Sequence, residues 1–257
     1  MNALVQSLAV VGSDLDLERF LADGFALKPQ LADHLDLSLP ELERRLPSST
    51  AELAALHPGA FDPAQATAFY EQEVGTGHLL DLAAWHLGSA PYIADTLRLQ
   101  QRFARGQVLD FGGGIGTHAL AAAALAEVEN VWFVDLNPHN RDFVAKRAET
   151  FGLGAKLRCF RDLEDPALPA QFDTVVCLDV LEHLGDPAAQ LEVFEQRMGP
   201  TAIALLNWYF FKGFSGEFPF HIDDPLLVER FFSRLQSRFL EVFHPLLITT
   251  RAYRLAA

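Results

Sequence analysis

The stretch "VLDFGGGIGTHAL", Val108 to Leu120, decides how the rest of the chain is read. A short apolar run carries an acid, Asp110. It then breaks into four glycines within five positions, Gly112, Gly113, Gly114 and Gly116, before an alanine-rich segment that starts near Thr117. A tight strand-to-helix turn needs positive φ at one residue, and a single glycine supplies it. Four glycines exceed that need and suggest backbone left bare for a ligand to lie against. A phosphate-gripping loop requires a lysine followed by Ser or Thr after its glycines, and no lysine stands near this loop. The dinucleotide pattern GxGxxG fails in both registers: from Gly112 the sixth position is Thr117, and from Gly113 the third is Ile115. What fits is an acid, one spacer and GxGxG, running from Asp110 to Gly116. A carboxylate at the strand end opposes a pyrophosphate and suits a ligand carrying an ammonium and a sulfonium.

Downstream, short apolar runs alternate with helical stretches. Strands are expected at "QVLDF", "NVWFV", "KLRCF", "DTVVCL" and "AIALLN", all continuous apolar runs of the kind covered on both faces. That pattern predicts an α/β fold with a doubly wound, predominantly parallel sheet and helices on both faces. The tail "FLEVFHPLLITTRAYRL" holds two β-rich runs with no room for a helix between them, so they pair antiparallel at a sheet edge.

Upstream, the first 105 residues read as all-helical. Ser13 is positioned to cap "DLDLERFLAD", with Gly24 as its stop, and "SLPE" (38–41) and "STAE" (49–52) have the spacing of capping boxes. Asp62-Pro63 opens "PAQATAFYEQEV", a helix follows from about His78 to Leu87, and Pro91 reopens one towards Arg105. The expected division is a helical region, 1–105, and a ligand-binding domain, 106–257.

Half of the 257 residues are apolar, enough for a sizeable core. The net charge is -14, and Met1 to Arg105 holds 14 acidic and 7 basic residues, so both parts are acidic and neither steers towards nucleic acid or an anionic membrane. No apolar run approaches membrane-spanning length and the N-terminus lacks signal-peptide features, which predicts a cytoplasmic protein. Cys159 and Cys177 lie in apolar segments and read as reduced core residues. No His/Cys/carboxylate group has metal-ligand spacing along the sequence, so no metal is expected.

From Asp110 to Gly116 the chain resembles the class I family of S-adenosylmethionine-dependent methyltransferases, and the likeness runs from about Gln107 to Leu255, some 150 residues. The resemblance implies a Rossmann-like seven-stranded sheet whose last strand is antiparallel, with S-adenosyl-L-methionine as cofactor. Asp135 in "VWFVDLNP" matches the acid that grips the ribose hydroxyls, and Asp162 in "CFRDL" the one that accepts from the adenine amino group, with Leu136 and Leu163 as apolar faces for the ring. "FDTVVCLDVLEHLGDP" resembles the fourth-strand motif of the ubiquinone and menaquinone biosynthesis type, including Asp179, Glu182 and His183. Tyr70 resembles the tyrosine that covers the cofactor in many relatives.

Methyl transfer from a sulfonium is an in-line displacement whose leaving group is already activated, so alignment and exclusion of water dominate. His183 and His221 are the candidate bases for an acceptor hydroxyl, each with a structural role as the alternative. "NWYFFKGFSGEFPFHIDDP" reads equally as acceptor pocket or as core. As a pocket it favours a small apolar or aromatic acceptor. Trp85 and the leucines around it read as core at helical spacing. The N-terminal helices are expected to cap the acceptor site or to dimerise, leaving monomer and homodimer both open. Two other readings stand beside this one. A non-methylating transferase of the aminopropyl type would share the fold. A DNA-binding regulator would use the helix-turn-helix-like "QLADHLDLSLPELERRL", whose acidic second helix argues against it.

Overall fold

Val108, Leu109, Val131, Phe133, Val175 and Ala204 have no exposed surface, which requires the strands that carry them to be covered on both faces. The computed structural model describes residues 10–11, 14–56, 62–216, 218–246 and 248–256.

A short antiparallel pairing of β1 (Val10–Val11) with β2 (Asp14–Leu15) comes first, so the N-terminal region is not helical throughout. The pairing is anchored where the backbone N–H of Leu15 donates to Gln101 Oε1. The helix α1 (Leu17–Asp23) is capped by Asp16, which accepts from the Arg19 N–H at 2.9 Å, and it stops at Gly24, as expected. The expected cap Ser13 lies outside the described residues. Next come α2 (Leu27–His34) and α3 (Leu39–Arg45), the latter capped by Ser38 accepting from the Glu41 N–H. A 3-10 turn at Leu46–Ser48 runs straight into α4 (Ser49–Ala54). Ser49 is therefore the first residue of α4 and not its N-cap, and its hydroxyl donates to the Leu46 carbonyl instead. Asp62 accepts from the Ala64 N–H and opens a 3-10 turn, Pro63–Gln65, not a regular helix. That turn passes through α5 (Ala66–Ala68) into a π-helical turn, Phe69–Glu73. The long helices α6 (Gly77–Gly88) and α7 (Ala90–Phe103) complete this half.

The sheet half runs β3 (Gly106–Phe111), α8 (Thr117–Ala124), β4 (Val128–Val134), α9 (Pro138–Thr150), β5 (Leu157–Phe160) and β6 (Phe172–Cys177). It continues with α10 (Pro187–Arg197), β7 (Met198–Leu206), α11 (Pro225–Arg238), β8 (Phe239–Phe243) and β9 (Arg251–Leu255). The seven strands are ordered β5-β4-β3-β6-β7-β9-β8. All neighbours are parallel except at β9, which inserts between β7 and β8 and runs against both. The tail thus forms the antiparallel edge expected from the sequence. After β3 the chain goes outward to β4 and β5 and then returns beside β3 as β6, so the order reverses at β3. Ligand crevices in open α/β sheets form beyond the strand ends at such a reversal.

One core cluster packs Val108, Val131 and Phe133 against α7 and α8, and a second packs Leu109, Val175 and Phe194 with Phe231 on the other face. A third joins Leu31, Leu42, Leu79 and Leu80 to Ile115, inside the glycine loop, and to Phe143 of α9. The two halves therefore share a core directly beside the loop. Trp85 is 40% exposed and is not the core residue its spacing suggested. The buried stripe of α6 is Leu79, Leu80, Ala83 and His86, and Trp85 falls off it. Arg147 reinforces the joint: although 1% exposed, it donates to Gln30 Oε1 and to the carbonyls of Gly24, Phe25 and Ile115. Both cysteines are free, and burial pushes their thiols up, Cys159 to about 12. Among the described residues no helix is long and apolar enough to cross a membrane.

Candidate active site

The floor of the site is backbone. Gly112, Gly114 and Gly116 have φ of 69°, 57° and 73°, the left-handed region that side chains disfavour. A Cβ on Gly112 would lie 2.5 Å from Val180, one on Gly113 2.5 Å from Asp110 Oδ2, and one on Gly116 2.5 Å from Val144. Gly112 and Gly113 thus let side chains of or just after the strands, Val180 and Asp110, close against the loop, and Gly116 lets Val144 of α9 do so.

Carboxyl groups collect beneath and around this floor. Asp110, on β3, is 3% exposed, and its Oδ2 has no hydrogen-bond partner. Burial, reinforced by Asp135, pushes its pKa up to about 7. Asp135 follows β4. Its Oδ1 accepts from the Asn137 N–H at 2.9 Å and Asn140 Nδ2 at 3.2 Å, and its Oδ2 accepts from the Gly114 N–H at 3.0 Å. Burial raises Asp135 to about 6 despite those donors. Arg141 helps little, because its NH1 donates to the carbonyls of Asp135 and Leu136.

Beyond β6, Asp179 adopts φ of 55° and is locked by Asn207. The Asp179 N–H donates to Asn207 Oδ1 at 2.6 Å, and Asn207 Nδ2 donates back to Asp179 Oδ1 at 2.9 Å. Asp179 is raised to about 6 by burial. Glu182, in the 3-10 turn Leu181–His183, is 1% exposed with Oε2 unpartnered, and burial followed by Asp179 raises it to about 8.

The roof comes from the N-terminal half. Leu82 of α6 lies over Gly114, whose Cβ would meet it at 3.0 Å. Tyr70, in the π-helical turn, shares a 3.0 Å hydrogen bond between its hydroxyl and His183 Nδ1. Asn137 Nδ2 donates to the Gly75 carbonyl, His78 contacts Asn140 at 3.3 Å, and Arg161 pairs with Glu71. Burial drives Tyr70 well above the usual phenol range and holds His78 down at about 4.

His183 and His221 meet beside the turn after β6, their rings 4.7 Å apart and edge to face. Burial, then His221 and His78, lowers His183 to about 3, and burial also lowers His221. His221 Nδ1 donates to the Phe211 carbonyl at 3.1 Å, and Phe218 stacks on its ring. The aromatic run splits by alternation. Trp208 and Phe210 pack inward on Phe231 and Phe232, whereas Tyr209 and Phe218 surround His221. Part of the stretch is therefore core, and part clusters around His221.

Asp162 is partly exposed, where its Oδ2 accepts from Arg161 and its Oδ1 from the Glu164 N–H. Leu163 belongs to the second core cluster, and Leu136 is half-buried. Sequence reasoning missed Asn140 and Asn207, which orient the carboxylates of Asp135 and Asp179. Their only trace was an amide placed just after a strand or near the start of a helix. It also expected no metal, yet Glu182, His183 and His221 each offer a ligand atom within 4.8 Å of the others. The spacing concealed this group, because β7 and the aromatic loop separate its members in sequence.

Comparisons with known proteins agree with this arrangement. A family model described as "Methyltransferase domain" matches residues 84–210, beginning within α6. The ubiquinone biosynthesis O-methyltransferases of Psychrobacter arcticus and Psychrobacter cryohalolentis are 33% and 32% identical over 107 residues, 39% of this chain and 40% of each relative. The chain thus matches about two fifths of the length of these curated relatives. A solved S-adenosylmethionine-dependent methyltransferase from Leishmania major, 16% identical, covers 76% of this chain and 82% of its own with a TM-score of 0.50, a likeness of fold alone.

Proposed function

We propose that this chain, whose residues 84–210 match a methyltransferase-domain family model, is a class I S-adenosylmethionine-dependent methyltransferase that transfers a methyl group from that cofactor to a small apolar or aromatic acceptor. One observation carries the reading: a bare glycine floor is bordered by three buried carboxyl groups, Asp110, Asp135 and Glu182, and the half-buried Asp179, all raised in pKa. Such a site is electrostatically incomplete, and a ligand carrying sulfonium and ammonium charges would complete it where a phosphate would be repelled. Asp135 Oδ2 accepts only the Gly114 N–H and keeps a lone pair for a ribose hydroxyl. Gly112 to Gly116 would lie under the methionine and ribose, and Tyr70 would cover them. Leu136, Leu163 and Asp162 are the proposed adenine side.

Chemistry needs little beyond alignment, and the roof supplies exclusion of water. His183 and His221, with the exposed rings of Tyr209 and Phe218, form the acceptor end. The O-methyltransferase names of the Psychrobacter relatives favour a hydroxyl acceptor. Titration calorimetry of the whole chain with S-adenosylmethionine, S-adenosylhomocysteine and decarboxylated S-adenosylmethionine tests this reading. One-to-one binding of the first two, tighter than the third, is expected. Binding of neither would end the methyltransferase reading, and preference for the decarboxylated form would favour aminopropyl transfer.

A further inference from the structure

We infer that Glu182, His183 and His221 form a binding site for one divalent first-row cation, which holds and activates the hydroxyl of the acceptor. The inference deepens the proposed methyl transfer and rests on it for the acceptor, but not for the cation. Three observations carry it.

The first is convergence. Ligand atoms of one carboxylate and two imidazoles lie within 4.8 Å of one another, although they come from the turn after β6 and the loop before α11. Ligands held about 2.1 Å from an ion sit about 3.4 Å apart in a tetrahedron, so side-chain rotation of an ångström or so closes the set.

The second is an unsatisfied atom. Glu182 is 1% exposed, and its Oε2 finds no hydrogen-bond partner. A buried carboxylate oxygen left without a donor is costly, and a cation is the partner that two neutral imidazoles and a second carboxyl group, Asp179, leave missing.

The third is the support behind the ligands. His221 donates Nδ1–H to the Phe211 carbonyl, which leaves Nε2 with its lone pair. His183 is fixed by Tyr70, and the Phe220 carbonyl also lies within hydrogen-bonding reach of it. Backbone and hydroxyl groups that orient an imidazole from behind are the usual outer partners of metal-ligating histidines. The Glu182 carbonyl also accepts from the Ile222 N–H at 2.7 Å, clamping the two ligand-bearing segments together.

One carboxylate and two histidines with positions left open is a donor set for zinc, iron(II) or manganese(II), and imidazole content favours zinc over magnesium. Such a cation lowers the pKa of a hydroxyl it holds, so the proton leaves to water near neutral pH. The oxygen then forms the new O–CH3 bond while the C–S bond breaks. Its electron pair stays on sulfur, and the sulfonium becomes a neutral thioether. The histidines would act as ligands and not as bases, and the acceptor would be a hydroxyl and not an amine or carbon.

The test uses the whole chain stripped with a chelator and titrated with cobalt(II), whose visible d–d bands report nitrogen and oxygen coordination, with zinc(II) as competitor. S-adenosylhomocysteine binding is measured in parallel. Wild type is expected to take up one equivalent. His221→Gln should weaken uptake on the order of 100-fold while S-adenosylhomocysteine affinity stays within about twofold, and Glu182→Gln should weaken uptake to a similar degree. The half-buried position of His221 keeps that variant informative if Glu182→Gln fails to fold. No stoichiometric uptake by wild type, or uptake unchanged in a folded variant of either residue, would overturn the inference. Cation uptake without S-adenosylhomocysteine binding would retain the metal site and remove the methyltransferase reading instead.

Discussion

The floor and the roof of the site are built on different principles. The floor, Asp110 to Gly116, is backbone in left-handed turns pressed between the side chains of Asp110, Val180 and Val144, and a Cβ at three of its glycines would overlap a neighbour at 2.5 Å. The leading part of the roof, Tyr70 to His78, is tied to the sheet half by polar side-chain contacts, Tyr70 to His183, Asn137 to Gly75, His78 to Asn140 and Glu71 to Arg161, whereas Leu79 and Leu80 behind it are anchored in the shared core. A floor of this kind has one conformation. The polar contacts of Tyr70 to His78 can open and reseat while Leu79 and Leu80 stay anchored, which a ligand entering a closed site requires.

Several substitutions would break or sharpen that contrast. Gly112→Val places a branched side chain at φ of 69° against Val180, and it should lower unfolding free energy by about 4 kcal/mol, read from urea denaturation. A loss below about 1 kcal/mol would show that the floor is as compliant as the roof. Arg147→Met tests the joint between the two. It leaves the carbonyls of Gly24, Phe25 and Ile115 without their buried donor, and should cost about 3 kcal/mol. Because Ile115 is in the loop, cofactor affinity should fall as well, and Arg147→Lys should restore part of both.

The buried acids make the next effect one of pH. A carboxyl group whose native pKa is raised binds protons more tightly when folded, so stability is lost as pH climbs from its unfolded value near 4 through its folded value. The lowered histidines, His78, His86, His118 and His183, act in the opposite sense, adding stability as pH rises towards 6.5. Between 6.5 and about 7.5 the two effects largely offset, and above 7.5 the carboxyl effect dominates, chiefly through Glu182 at about 8. The ligand-free protein should therefore lose about 0.5 kcal/mol between pH 7.5 and 8.5, and a bound cationic cofactor should flatten that slope. Rising stability over this interval would show that the acids are already neutralised. The smallest effect belongs to the roof. Glu71→Ala removes an exposed ion pair with Arg161, and the melting temperature should be unchanged within scatter.

The floor was legible in the sequence, and most of the roof was not. Gly112 to Gly116, Asp110 and Asp135 are local signals, because a turn of that curvature and a strand of that burial depend on neighbours in the chain. The helix stops at Gly24 and the cap at Ser38 were legible for the same reason, as was the reversed β9. Departures came where tertiary contacts decided. Ser49 became the continuation of a helical run, and the stretch after Asp62 became a 3-10 and then a π-helical turn that presents Tyr70 to His183. Trp85 left the core because α6 buries its Leu79–Ala83–His86 stripe against α2, α3 and the loop. The pairing of His183 with His221, and of both with Glu182, depends on two segments that only the sheet brings together.

A crystal structure of the whole chain with S-adenosylhomocysteine tests the central claim most directly. The account predicts the ligand stretched along Gly112 to Gly116, its ribose on Asp135 and its sulfur facing Glu182, His183 and His221, with Tyr70 closed over it. A ligand bound elsewhere, or one whose sulfur faces away from that cluster, would contradict the account.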